Sequence, residues 1–321
     1  MSPAIDVVDL VHAYPGPRGP VEALRGVALA VPPGEFFGLF GPNGAGKTTF
    51  IRVLATLVTP AAGAARVAGW DVRRDAARVR AAIGLVFSNE YSFYGRLTGR
   101  QNLEFFGALQ NLAPRAARRR AAELLAFFGL ERAADAPVQS YSTGMRQKLN
   151  VARALLHDPA VVFLDEPTKG LDALTAEALR ALLRRELVER QGKTILLTTH
   201  DLQEMEQLCD RVAILEAGRL RAVGAPAELA REAGRSVVYR LEVAGPADGL
   251  AERLARLPGV LAVEPAAVTG PAAVLDLTFE HAPDADLWRL FADLGLRVVR
   301  FGPKEEGLVT ALKEFSREVP E

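Results

Sequence analysis

Phe36-Phe37-Gly38-Leu39-Phe40-Gly41-Pro42-Asn43-Gly44-Ala45-Gly46-Lys47-Thr48 decides how the rest of this chain is read. Phe36 to Phe40 is a short apolar run of the kind that makes a buried strand. It leads straight into Gly41 to Thr48, which fits the spacing G-x-x-x-x-G-K-[ST] at every fixed position. Glycine is needed where a backbone bends around a phosphate with no Cβ in the way. A helix is predicted from Lys47 to about Leu57. Loop N–H groups and the helix N-terminus then converge on anionic oxygens. In that setting Lys47 reaches the β- and γ-phosphates, and Thr48 is placed to ligate Mg²⁺.

Working outward, Val27 to Val31 reads as a strand, joined to Phe36 by the turn Pro32-Pro33-Gly34. Ile83 to Phe87 is another. Leu97 to about His157 is mostly helical, broken by Pro114, Gly129 and Pro137. Val161 to Leu164 and Thr194 to Thr198 are continuously apolar, as strands buried on both faces of a parallel sheet are. A helix from about Leu174 to Arg190 crosses between them, and Val212 to Val223 folds as a hairpin. Ligands meet a parallel sheet at its strand ends. There the chain places Asp165-Glu166 and Thr199-His200. Asp165 suits Mg²⁺, directly or through water, and Glu166 suits a general base that polarises an attacking water. His200 is positioned to hydrogen-bond a γ-phosphate.

The bulk composition is that of an ordinary globular chain. With 321 residues it predicts two domains, and 49% hydrophobic with 24% charged residues supports a sizeable core. Lys+Arg and Asp+Glu both total 39, so no positive excess exists to displace counterions from nucleic acid. Arg115, Arg118, Arg119 and Arg120 read as the solvated face of a helix whose other face carries Leu124, Leu125 and Phe128. The single cysteine, Cys209, excludes an intrachain disulfide and reads as a small buried residue. No apolar run is long enough to span a membrane.

Between the glycine loop and Asp165 lies Tyr141-Ser142-Thr143-Gly144-Met145-Arg146-Gln147-Lys148. This order of segments resembles the ATP-binding cassette (ABC) transporter ATPases over roughly residues 3–225. The fold implied is α/β, a P-loop NTPase of ABC type with a helical subdomain at about 90–157. The resemblance makes Gly41 to Thr49 (Gly41, Pro42, Asn43, Gly44, Ala45, Gly46, Lys47, Thr48 and Thr49) the Walker A loop. Asp165-Glu166 becomes the Walker B end with the catalytic glutamate. Tyr14 becomes the aromatic residue that stacks on adenine, His200 the switch histidine, and Lys169-Gly170-Leu171-Asp172 the D-loop. Ser142, Thr143 and Gly144 become the signature, which closes on the ATP of a second copy. ATP and Mg²⁺ are the implied cofactors. Catalysis would rest on Glu166, His200 and Lys47, and the metal on Thr48, Asp165 and Asn89. Asn89 stands where the family has a glutamine, one methylene longer; Thr143 stands where glycine is commoner.

Met145 to Lys148, Lys169 to Asp172 and the tail after Gly234 look like the ABC-2 type, including the daunorubicin-resistance group. The partners so implied are a second copy or homologous ATPase subunit and integral membrane permease subunits, mostly for export, with no nucleic acid. The location implied is the cytoplasmic face of the cell membrane. Tyr91, Phe93 and Tyr94 are candidates for contact with the permease. The alternative is a soluble ABC-type ATPase acting on nucleic acid or ribosomes. The domains expected are 1–225, a linker at 226–235, and a small α+β, ferredoxin-like domain at 236–321 with strand and helix order βαββαβ and an added terminal helix. In that domain His281, Asp284 and Asp286 lie close in sequence and read as a polar helix start.

Overall fold

A computed structural model describes residues 2–16, 19–87, 93–199, 201–233, 237–244, 249–257, 259–269, 272–279, 287, 291 and 297–303. The chain divides into two compact units, Met1–Ala225 and Pro226–Glu321.

The first unit opens with strands β1 (Ile5–Tyr14), β2 (Val21–Val31) and β3 (Phe36–Phe40), then helix α1 (Lys47–Leu54). Strands β4 (Ala62–Val67) and β5 (Trp70–Asp71), helix α2 (Ala76–Ala82) and β6 (Ile83–Phe87) follow. Three helices come next: α3 (Gly99–Leu109), α4 (Pro114–Phe127) and α5 (Thr143–Ala154). The unit closes with β7 (Val161–Asp165), α6 (Ala173–Leu182, continued as a π-helix over Leu183–Arg190), β8 (Thr194–Thr199), α7 (Leu202–Leu208), β9 (Arg211–Glu216) and β10 (Arg219–Gly224).

Two sheets result. An antiparallel one runs β2-β1-β4-β5, and a larger one runs β10-β9-β3-β8-β7-β6 with every pair parallel except β9–β10. Val161 to Leu164 of β7 and all of β8 are buried, so the apolar runs are core strands as their composition requires. Register matters more than order. Phe87 lies opposite Asp165, Asp165 opposite Thr198, and Phe40 opposite Thr199. Strands β3, β6, β7 and β8 therefore deliver their C-terminal residues to one edge.

The helical segment is built by local signals. Thr98 and Gln101 form a reciprocal capping box on α3, Pro114 opens α4, and Ser142 caps α5 by accepting from the Met145 N–H. Asn102 is fully buried and ties Tyr94, Leu97 and Thr98 together through four hydrogen bonds. On α4, Arg115, Arg118 and Arg119 face solvent, but Arg120 does not join them. Its guanidinium turns inward and donates to the Leu155 carbonyl and to Glu123. Cys209 is buried 3.6 Å from the Met205 sulfur.

The second unit begins with α8 (Pro226–Ala233), so the segment expected as linker carries a helix, with proline at its tolerated first position. Strands β11 (Val237–Ala244), β12 (Val260–Thr269), β13 (Ala272–Phe279) and β14 (Arg297–Pro303) form an antiparallel sheet in the order β12-β13-β11-β14. Helix α9 (Leu250–Leu254) follows β11, and Leu241, Leu254, Leu277 and Phe291 centre its core. The expected terminal helix at 307–315 and the segment His281, Asp284 and Asp286 lie outside the described residues. Among the described residues, no helix is long and apolar enough to cross a membrane.

Candidate active site

The phosphate-loop candidate is held by close backbone contacts. A Cβ on Gly41 would stand 2.1 Å from the Leu215 carbonyl oxygen, and one on Gly46 2.4 Å from that of Ala23. Gly46 also has φ +107, a left-handed value that suits glycine. Ala45 is buried between these points and accepts from the Gly218 N–H, while Pro42, Asn43 and Gly44 face solvent. Lys47 begins α1 and is buried, its ammonium donating to the Gly41 and Pro42 carbonyls. Burial lowers its pKa, and the nearby Glu166 and Asp165 charges push it back up. Tyr14, at the end of β1, lies with its hydroxyl 3.5 Å from that of Thr49.

Asp165 ends β7 and is bonded by the hydroxyls of Thr198 and Thr48. Its carboxyl is held above the ordinary carboxylate range, first by burial; the Thr198 bond opposes this and the Glu166 charge adds to it. The sign follows directly. A group whose folded pKa is raised is favoured as the acid, so stability is lost as pH rises through that range and is missing at neutral pH. Asp165→Asn keeps the oxygen that Thr198 bonds. It is expected to raise stability at pH 7 by about 1 kcal/mol while hydrolysis is lost. Thermal unfolding reads this, and a lower melting temperature would contradict it.

Glu166 follows in a left-handed conformation, φ +50, with its N–H donating to the Thr198 carbonyl at 2.8 Å. Its carboxylate pairs with Lys169 at 2.5 Å. Lys47, Thr48, Asp165 and Glu166 are thus brought together at the strand ends. Thr48 and Asp165 offer hard oxygens, the donor chemistry Mg²⁺ takes when phosphates complete its shell. Among the described residues there is no metal-ligating group of three or more His, Cys, Asp or Glu. Asn89 and His200 lie outside the described residues.

Ser142 and Thr143 are exposed on the first turn of α5. Asp172 caps α6, accepting from the Thr175 N–H and hydroxyl. The two helix starts meet, since a Cβ on Gly144 would stand 2.9 Å from Thr175 Cγ2. Sequence reasoning missed the bond of Thr198 to Asp165 and, although it placed Lys169 in the D-loop, the pairing of Lys169 with Glu166. The first left only a weak signal, a hydroxyl near the end of an apolar strand.

The family model described as ABC transporter matches residues 24–169. The daunorubicin resistance ATP-binding protein DrrA2 of Streptomyces coeruleorubidus is 42% identical over 303 residues, covering 90% of this chain and 89% of that protein. The chain belongs to the ABC transporter family. It is an ATP-binding, ATP-hydrolysing subunit of that family, in line with the resemblance of its motifs. DrrA3 of the same organism is 46% identical over 220 residues, 67% of each chain. Among solved structures, the dimeric post-hydrolysis state of the cassette MJ0796 bound to ADP and Pi matches with a TM-score of 0.63. It is 27% identical and covers 69% of this chain and 98% of that one. The residues matched by the family model, 24–169, lie within the first unit.

Proposed function

We propose that this ABC transporter ATPase works as a head-to-tail pair of cassettes that drives export through separate membrane subunits. Each site would combine Lys47, Thr48, Asp165, Glu166 and His200 of one copy with Ser142 and Gly144 of the other. The observation that carries this reading is the exposure of Ser142 and Thr143 on the first turn of α5. Helix N-termini carry unpaired N–H groups and a positive dipole end, which suit a phosphate brought by a partner. The dimeric state of the MJ0796 cassette supports a pair of cassettes.

In this reading the backbone of Gly41 to Thr49 and the Lys47 ammonium hold the phosphates, and Tyr14 stacks on adenine. Thr48 and Asp165, with Asn89, would hold Mg²⁺, which neutralises charge on the phosphate oxygens. Glu166 accepts a proton from the attacking water, His200 bonds the γ-phosphate, and Asp172 lies at the interface. Cassette closure would be passed to the membrane subunits through the segment near Asn89 to Leu97. There Phe93 packs edge-on to Phe106, with the Arg153 guanidinium over both rings, and Tyr94 is exposed. Likeness along 90% of the chain to a daunorubicin resistance protein favours export over work on nucleic acid or ribosomes. The chain would then sit at the cytoplasmic face of the membrane. The second unit, read as ferredoxin-like, would serve dimer contact or regulation.

Reconstitution with its membrane subunits in proteoliposomes tests the coupling. ATP turnover should rise over that of the free chain, and daunorubicin is the first compound to try for ATP-dependent transport. Equal turnover with and without the membrane subunits would count against it.

A further inference from the structure

One buried acid in the first unit is not used by the proposed hydrolytic chemistry. Glu204, on α7, has no solvent exposure. Its Oε1 accepts from the Thr168 hydroxyl at 2.9 Å, its Oε2 is buried with no hydrogen-bond partner among the described residues, and the Thr199 hydroxyl lies near enough to favour the charged form. Thr168 lies two residues beyond Glu166, in the turn that leads to Asp172. Thr199 is the last residue of β8. One carboxylate therefore ties the loop after β7 to α7, the helix that follows β8. Arg180 of α6 adds its charge to the same cluster. Burial pushes the Glu204 carboxyl up, and the Thr199 and Thr168 hydroxyls pull it down.

The anchor for this tie is rigid. Met205 and Cys209 lie over Gly38 of β3, where a Cβ would stand 2.3 Å from the Met205 sulfur and 2.8 Å from that of Cys209. Gly38 is three residues before Gly41, so α7 is seated on the strand that feeds the glycine loop. The α7 entry is fixed as well, because the Asp201 N–H donates to Thr199 and the Glu204 N–H to Asp201. A buried carboxylate is costly unless it is hydrogen-bonded, and a wholly structural site is served as well by apolar side chains. Here the Thr168 hydroxyl belongs to the loop that carries Glu166 and must hold its place when a water attacks.

We propose that Glu204 is a positioning residue, whose carboxylate sets the Glu166–Asp172 loop against α7 through Thr168. The inference rests on the reading of Glu166 as the general base. A group displaced from its productive position slows chemistry with little effect on ground-state binding.

The experiment uses the full chain and three variants near the tie. Thr168→Val is isosteric and removes the hydroxyl; Thr168→Ser returns it; Glu204→Met keeps side-chain length and removes both acceptors. Thr168→Val and Glu204→Met should each lower kcat about tenfold with the KM for ATP within about twofold. Thr168→Ser should recover most of the rate. The double variant Thr168→Val with Glu204→Met should be little worse than the worse single one, because both remove one tie. A kcat unchanged in either single variant, a Thr168→Ser as slow as Thr168→Val, or full additivity would overturn the proposal. If Glu204→Met does not fold, the Thr168 pair alone decides. Glu166→Gln, assayed beside them, keeps the two ideas apart. Sustained turnover by that variant overturns the base assignment, whereas flat Thr168 and Glu204 results overturn the positioning role.

Discussion

Lys47→Met is expected to weaken ATP binding about 100-fold and to end hydrolysis, the scale on which one partner of a buried charge pair counts. The native ammonium is buried among the Gly41 and Pro42 carbonyls with the Asp165 and Glu166 charges close by. It is thus held where loop backbone and strand end converge, at the place proposed for the phosphate. Methionine keeps the packed stem and removes the charge. Burial holds the Lys47 pKa below its ordinary value, so its charge costs stability at neutral pH, and the variant should fold and melt no lower than the native chain. Calorimetric titration with ATP reads the affinity, and thermal unfolding of the same samples separates lost binding from lost fold. Native-like affinity in a folded Lys47→Met chain would mean that the loop does not hold phosphate as argued.

Glu166→Gln is expected to act on the other half of the reaction. The amide has the shape of the carboxylate but cannot take a proton from water, and removal of a general base costs about 10²–10⁴-fold in rate. ATP affinity should stay near native, because Lys47, Thr48 and Asp165 are untouched. The Lys169 pair at 2.5 Å loses its ionic character. That contact is half exposed on the lysine side, where ion pairs contribute little, so the fold should not depend on it. Phosphate release measured at saturating ATP checks the rate. Turnover within tenfold of native would remove Glu166 from the role of base.

Much of the first unit was legible because its signals are local. Gly41 to Thr48 announces itself by residue type, and Val161 to Leu164 and Thr194 to Thr198 by unbroken apolarity. Strands β1 and β4 were not, for a physical reason. Register shifts interrupt β1 between Val7 and Leu10 and again near His12, and Asp9 has φ +48, so its sidedness does not alternate cleanly. The β4 sequence Ala62-Gly63-Ala64-Ala65-Arg66-Val67 has too little bulk to announce a strand; Gly63 is required because a Cβ would lie 2.1 Å from the Asp9 carbonyl oxygen.

In the site, the residues proposed to touch phosphate were legible from motif order. Those that hold them in place were not. Thr198, Thr168 and Glu204 reach their partners across 33 or 36 positions of sequence, and no period or motif encodes such a meeting. Arg120 shows the same limit on a surface. Its spacing matches Arg115, Arg118 and Arg119, yet the open Leu155 carbonyl at the end of α5 draws it inward.

If one chain cannot complete its own site, ATP must bring two copies together, and sedimentation of the Glu166→Gln chain reads this. Without ATP the chain should sediment as a 34.5 kDa monomer, and with ATP as a dimer. Adding Ser142→Asp keeps a capping side chain on α5 but sets a negative charge where the partner's γ-phosphate would lie. That chain should bind ATP and remain monomeric. A Glu166→Gln chain that stays monomeric at saturating ATP, or an ATP-dependent dimer unaffected by Ser142→Asp, would contradict the account.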